Sequence, residues 1–311
     1  MRKLTVLAVV GGALLTSTVT EAQSGGRSRE GLRERLAERA SAAERRAPQV
    51  TAGQTIAYGD DPAQRLDFWP AQGASAPAPL IIFVHGGGWQ RGSKDNATGR
   101  WKANHYPGQG YAFASIDYRL VPAATAEQQA ADIASAVKAL IDRAGALGLD
   151  RRRIVLMGHS AGAQLVALVG TDERYLQAAG LSFADLAGVI AIDGAAYDVP
   201  AQMRDGPELM QKTYAQAFGA DPARQRLLSP TLQSSAPNAA RFLLLHVQRE
   251  DGVRQTQALA AALKAGGSAV DVASVPGQGL MGHMEINRSL GDPGYAATAT
   301  VDAWLKRVFA G

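Results

Sequence analysis

The chain of 311 residues has no cysteine. That absence excludes disulfide bridges, thiolate metal sites and a cysteine nucleophile. It also excludes a lipoprotein, which would need a lipid-accepting cysteine after its leader. Histidine is scarce, with five in the chain. No run of His, Asp and Glu has metal-ligand spacing, so a metallohydrolase is unsupported and no metal or organic cofactor is expected. No internal repeat or low-complexity tract appears either.

Charge is present but unevenly placed. The formal net charge is +4. Residues 1–22 carry Arg2, Lys3 and Glu21, and residues 27–46 carry seven Arg against four Glu, so these two segments supply the whole excess. The remaining chain is close to neutral and offers no electrostatic footprint for nucleic acid. In the 27–46 segment the signs are mixed, and Leu32, Leu36 and Ala40 recur at helical spacing. A solvated helix or a disordered leader is expected over residues 23–48.

The N-terminus itself reads as a targeting segment. Arg2 and Lys3 precede an apolar run from Leu4 to Leu15, and small residues Thr20 and Ala22 end a polar stretch. This is the pattern of a secretory signal over residues 1–22. The run is too short to span a bilayer comfortably. Export to the periplasm or medium is expected, with membrane association only if the segment stays uncleaved.

From residue 49 to 311 short apolar runs alternate with amphipathic segments, which predicts a mostly parallel sheet flanked by helices. Strands are expected at 80–84, 111–116, 153–157, 188–192, 242–246 and 270–275. Segments 54–58 and 65–69 look like an antiparallel start. Thr125 and Gln128 form a capping-box pair ahead of an apolar stripe from Ala130 to Ile141. Val301, Trp304, Leu305 and Val308 make a similar stripe in the last helix. The interval around 195–235 contains no clear strand and one short helix near 209–218, so it is expected to be a small cap.

Two glycine-rich motifs fall in this pattern. Gly158-His159-Ser160-Ala161-Gly162 lies between an apolar strand and a helical run. In that setting it is a nucleophile elbow, a sharp turn that holds the Ser160 hydroxyl exposed. Composition alone would supply about 0.2 such pentapeptides by chance, so the setting carries the weight. His85-Gly86-Gly87-Gly88-Trp89 ends the strongest strand, and its His-Gly-Gly-Gly part is rarer, at about 0.006 chance occurrences. Acyl transfer places negative charge on a carbonyl oxygen, and unobstructed backbone N–H groups can meet it. The N–H of Ala161, after the nucleophile, completes such an oxyanion hole. A phosphate loop would want Lys-Ser/Thr where Trp89-Gln90 stands.

A serine nucleophile needs a base. His85 and His159 lie inside the motifs, His105 precedes the serine, and His246 ends a buried strand. His283, in a glycine-flanked loop before the last helix, is the expected base. The acid is expected after the 242–246 strand, where Glu250 and Asp251 are candidates; Asp251-Gly252 makes a natural turn and Asp251 is preferred. Trp89, Met281 and Met284 lie close in sequence to these positions and point to an apolar substrate pocket.

Together with Asp117-Tyr118-Arg119-Leu120, these motifs resemble the bacterial esterases and lipases related to hormone-sensitive lipase and to the carboxylesterase-like kynurenine formamidases. The resemblance spans residues 50–310 and implies an α/β-hydrolase fold, an esterase acting through an acyl-enzyme, and a small-molecule ester as substrate. It maps the oxyanion donors to Gly87 and Gly88. His159 stands where the lipase-like branch often has an acid, so the match leans to the formamidase-like branch, with the segment up to Ser229-Pro230 as lid. An amidase or peptidase would use the same residues, and a non-catalytic ligand-binding relative is a further alternative. Oligomeric state is not legible. If the leader is a cleaved signal, the mature protein begins near Gln23; N-terminal sequencing from an exporting host checks this, and membrane-bound chains retaining Arg2 and Lys3 would contradict it.

Overall fold

The computed structural model describes residues 49–310, apart from 74–76, 96–98 and 236. The signal segment (1–22) and charged leader (23–48) lie outside the described residues. Eight strands form one sheet: β1 (Gln54–Ala57), β2 (Arg65–Trp69), β3 (Ala78–Val84), β4 (Ala112–Ile116), β5 (Leu149–His159), β6 (Gly188–Ile192), β7 (Arg241–Gln248) and β8 (Ala269–Gln278). Their order across the sheet is β1-β2-β4-β3-β5-β6-β7-β8. β2 pairs antiparallel with β1 and β4, and every later pairing is parallel. The mostly parallel sheet is the one that the strand pattern predicts, and the α/β-hydrolase arrangement is the one that the resemblance implies.

The central strands are apolar throughout because both faces of the sheet are covered. All seven residues of β3 are buried. Leu80, Ile82 and Val84 point into one core, while Ile81 and Phe83 point into the other. That alternation follows from the two-residue period of a strand. Each fully buried Val, Leu or Ile contributes about 1.5–3 kcal/mol relative to exposure.

The principal helices are α1 (Gly99–Gly108), α2 (Ala126–Asp142), α3 (Ala161–Thr171), α4 (Val199–Asp205), α5 (Gln211–Phe218), α6 (Pro222–Leu227), α7 (Pro230–Gln233), α8 (Glu250–Ala265), α9 (Gly279–Ser289) and α10 (Ala296–Ala310). α2 begins on the capping box read from the sequence. Gln128 N donates to Thr125 Oγ1 at 3.3 Å, and Thr125 N donates to Gln128 Oε1 at 2.9 Å. Such a cap is worth about 1 kcal/mol. α3 runs from the end of β5 and is buried at every residue, which fixes the point where β5 hands over to it. The strandless interval holds α4 to α7, four short helices between β6 and β7. No described helix is long and apolar enough to cross a membrane.

Two local expectations differ from the structure. His283 lies within helix α9, not in a loop. The glycines at 277, 279 and 282 read as loop residues, but Gly277 and Gly282 are pressed together: a Cβ on either would come within 2.9 Å of the other's Cα. They permit a tight strand-to-helix junction. Helix α8 begins at Glu250, so the turn expected at Asp251-Gly252 is replaced by the first turn of a helix.

Candidate active site

The elbow at the end of β5 is built by close packing. A Cβ at Gly158 would lie 2.2 Å from Gly162 O, and one at Gly162 would lie 2.2 Å from Val84 O. Only glycine fits at either position, and the backbone can then turn within one residue. Ser160 takes the strain of that turn, with φ 56° and ψ −118°. Its N–H donates to Ile192 O at 3.0 Å, which anchors the turn to β6. A strained residue held in place by its surroundings is the mark of a nucleophile elbow.

Strand register then brings a carboxylate to the serine. His159 is the register partner of Ile192, so the next residue along β6, Asp193, comes to lie beside Ser160. His283 sits between them. The Ser160 hydroxyl donates to His283 Nε2 at 3.1 Å, and His283 Nδ1 donates to Asp193 Oδ2 at 2.6 Å. A carboxylate can only accept, so Nδ1 carries the ring proton and Nε2 offers its lone pair to the hydroxyl.

Asp193 is fully buried yet fully partnered. Its second oxygen accepts from Val247 N at 3.0 Å, and Arg249 Nε lies 3.4 Å from Oδ2. Burial alone would push its pKa up. The hydrogen bond from His283, the charge of Arg249 and the Val247 N–H outweigh burial and hold it below the usual carboxylate range. Asp193 therefore stays ionised where the imidazole works.

This arrangement corrects the sequence expectation for the acid. Asp251 does not reach His283. Starting α8 at Glu250 turns the Asp251 carboxylate towards Arg249 Nη1, at 2.8 and 2.7 Å, and towards Gln202 Nε2, at 3.0 Å. Glu250 is exposed and pairs with Arg254. An aspartate directly after the apolar strand next to the elbow was the available signal for Asp193, since neighbouring parallel strands end side by side.

The loop after β3 abuts the nucleophile: a Cβ on Gly86 would lie 2.9 Å from Ser160 Cβ. Gly87 and Gly88 have φ of 125° and 62°. Neither of their N–H groups, nor that of Ala161 at the start of α3, donates to a partner among the described residues. Three free donors thus lie on segments that meet at Ser160. The Asp117-Tyr118-Arg119 segment braces this loop. Tyr118 Oη donates to His85 O at 2.8 Å, and its ring stacks on the His85 ring at 4.3 Å. Arg119 in turn holds buried Asp132 at 2.7 Å.

Trp89 does not line a pocket, contrary to expectation. It is 2% exposed. The positive φ of 62° at Trp89 turns the indole inward, edge-on to Phe218 at 4.7 Å and Tyr214 at 6.1 Å of α5, with Nε1 donating to Gln164 at 3.0 Å. It ties the loop after β3 to helix α5. Met281 and Met284 are exposed on α9 around His283, with Leu280 beside them. His159 also does more than its place inside the elbow suggested. Its Nε2 donates to His283 O at 2.9 Å, and the two rings are 4.5 Å apart. Burial, helped by the neighbouring His283, pushes the His159 pKa well down, so it remains a neutral support. Among the described residues no three His, Asp or Glu side chains gather to hold a metal ion.

Comparison with known proteins places this geometry in context. The BD-FAE family model matches residues 66–259, more than half of the chain. A probable isoprenylcysteine alpha-carbonyl methylesterase of Oryza sativa is 35% identical over 114 residues, covering 37% of this chain and 27% of that protein. Esterase LipC of Mycobacterium tuberculosis is 33% identical over 208 residues, covering 63% of this chain and 50% of LipC. The chain thus spans between about a quarter and a half of the length of these curated relatives. Among solved structures, esterase B from Lactobacillus rhamnosis superposes with a TM-score of 0.70 at 21% identity, over 94% of this chain and 96% of its own. That likeness shows a shared α/β-hydrolase fold.

The elbow packing yields a direct test. Gly162→Ala places a methyl against Val84 O and is expected to cost about 3 kcal/mol or prevent folding. Gly145→Ala, where a Cβ meets nothing within 4 Å, is expected to be neutral or to stabilise by up to about 1 kcal/mol. Denaturant unfolding of both variants reads the contrast; equal stabilities would contradict the elbow packing.

Proposed function

The chain belongs to the BD-FAE family, and on that premise we propose that it is a serine carboxylesterase in which Ser160, His283 and Asp193 form the catalytic triad. The observation that carries this reading is the hydrogen-bonded line from hydroxyl to imidazole to buried carboxylate, at 3.1 and 2.6 Å. The names of LipC and of the methylesterase point to the same chemistry.

In the first step Ser160 Oγ attacks the ester carbonyl and His283 Nε2 takes its proton. The imidazolium is stabilised by Asp193, which keeps its own charge. The oxyanion is met by the N–H groups of Gly87, Gly88 and Ala161, the last at the positive end of α3. Each such donor is worth on the order of 10²–10³ in rate. His283 then returns the proton to the leaving alcohol. Water, activated by the same imidazole, clears the acyl-enzyme and frees Ser160. Leu280, Met281 and Met284 present an apolar surface beside His283 that suits the hydrocarbon part of a small ester. Export through the N-terminal segment belongs to the same reading, as does the absence of any cofactor requirement.

Three variants and one substrate series test this reading. Ser160→Ala is expected to abolish turnover and fluorophosphonate labelling without loss of fold. Asp193→Asn is expected to lower kcat on the order of 10⁴-fold, as in other triads. Asp251→Asn is expected to cost about tenfold or less, roughly 1.4 kcal/mol in the barrier. Equal losses for the two aspartate variants, or a larger loss for Asp251→Asn, would overturn the assignment of the acid. A panel of p-nitrophenyl esters with a matching anilide is expected to show ester cleavage far above amide cleavage.

A further inference from the structure

Asp193 has an uncommon backbone. Its φ is 43°, a left-handed conformation that strains the backbone of an aspartate. Something must hold it there. Its N–H donates to Leu245 O at 2.7 Å, and its carbonyl oxygen accepts from Arg249 Nη2 at 3.2 Å. The same Nη2 donates to Gly194 O at 3.0 Å. Arg249 therefore grips the backbone of Asp193 and Gly194 while its Nε stands 3.4 Å from the Asp193 carboxylate.

The guanidinium is itself clamped. Asp251 takes Nη1 on both oxygens, at 2.8 and 2.7 Å. Gln202 of α4 donates to Asp251 at 3.0 Å and to Tyr214 Oη of α5 at 3.0 Å. The side chains of Arg249 and Asp251 are 18% and 7% exposed, so little water screens the pair. The line thus runs from the cap through Gln202, Asp251 and Arg249 to Asp193, and on to His283.

We propose that Arg249 is a positioning residue for the triad, gripping the strained Asp193 turn and offsetting the carboxylate charge that His283 feels, and that Asp251 serves by holding Arg249. This rests on the reading of Asp193 as the triad acid. The electrostatic consequence has a definite sign. A cation beside Asp193 weakens the pull of that carboxylate on the imidazolium, so removing it makes His283 easier to protonate. Removing Asp251 while keeping Arg249 does the reverse, because an anion is lost and the guanidinium charge falls more fully on Asp193.

The other groups around this set do not reverse that sign. Tyr197 and Tyr214, which face Arg249, have pKa values raised by burial. Tyr295, near Asp193, is pushed up to about 12. His159, against the His283 ring, is held neutral by burial. Lys102, lowered by burial to about 7, acts on His159 and is common to parent and variants.

The test compares pH–rate profiles of the full chain with a p-nitrophenyl ester for Arg249→Gln, Arg249→Lys and Asp251→Asn, with thermal melting of each. Arg249→Gln is expected to lower kcat by tenfold or more with KM changed less than about twofold, and to move the acid limb to higher pH by roughly half a unit or more. Arg249→Lys should restore the limb and part of kcat. Asp251→Asn should move the limb to lower pH, and it carries the test if Arg249→Gln does not fold. Acid limbs unmoved in the variants that fold, or losses confined to KM, would overturn the proposal. The triad assignment is judged separately, by the Asp193→Asn loss, and survives that outcome.

Discussion

A carboxylate with no exposure to water is the constraint around which this site is arranged. Asp193 is 0% exposed, and an unpaired charge in such a place would be neutralised or expelled. Three partners prevent that. His283 Nδ1 and the Val247 N–H bind its oxygens and Arg249 supplies opposite charge, while Leu245 O fixes the backbone by accepting its N–H. Each comes from a segment that the sheet had to place first. β6 and β7 end side by side, which supplies Leu245 and Val247; Arg249 follows directly after β7. The imidazole is then held in one tautomer by a charge that cannot leave.

The serine is set by a different force, steric exclusion. Gly158 and Gly162 touch each other and the end of β3 so closely that any side chain would displace the turn. The same contact delivers the loop after β3 to Ser160, because Gly162 rests on Val84 O. Ser160 and the Gly87-Gly88 loop are thus placed by one packing event. Trp89 extends it outward. Its indole reaches Tyr214 and Phe218 of the cap, and Tyr214 reaches back through Gln202 to Asp251. The helices between β6 and β7 are therefore joined to both sides of the candidate site, by apolar packing on the loop after β3 and by polar contacts behind Asp193.

Much of the fold is legible in the chain because burial on both sheet faces leaves continuous apolar runs. The central strands fall where those runs lie, the outer strands β1 and β8 are mostly exposed, and the capping box of α2 forms from the two residues that signal it. Ser160 and His283 are legible because glycines force their local geometry and few histidines compete. The acid is not. Asp193 follows β6 directly and Asp251 lies in the helix that follows β7, and chain order admits either. Only the register of Ile192 against His159 decides which carboxylate faces the ring, and register is a property of the assembled sheet. Trp89 misleads for a related reason. Its neighbours in sequence are the glycines that face Ser160, but a positive φ reverses its side chain into the core. The glycines before His283 look like a loop because the sequence does not show that Gly277 and Gly282 pack on one another.

The central claim is that one buried line of hydrogen bonds, Ser160 to His283 to Asp193, carries acyl transfer. The most direct measurement is a crystal structure of the protein after reaction with an alkyl phosphonate, a tetrahedral mimic of the acylation intermediate. The account predicts phosphorus bonded to Ser160 Oγ, the phosphonyl oxygen within hydrogen-bonding distance of the Gly87, Gly88 and Ala161 N–H groups, and His283 Nδ1 still bonded to Asp193. An adduct on another serine, or an imidazole bonded to Asp251 in the reacted enzyme, would contradict it.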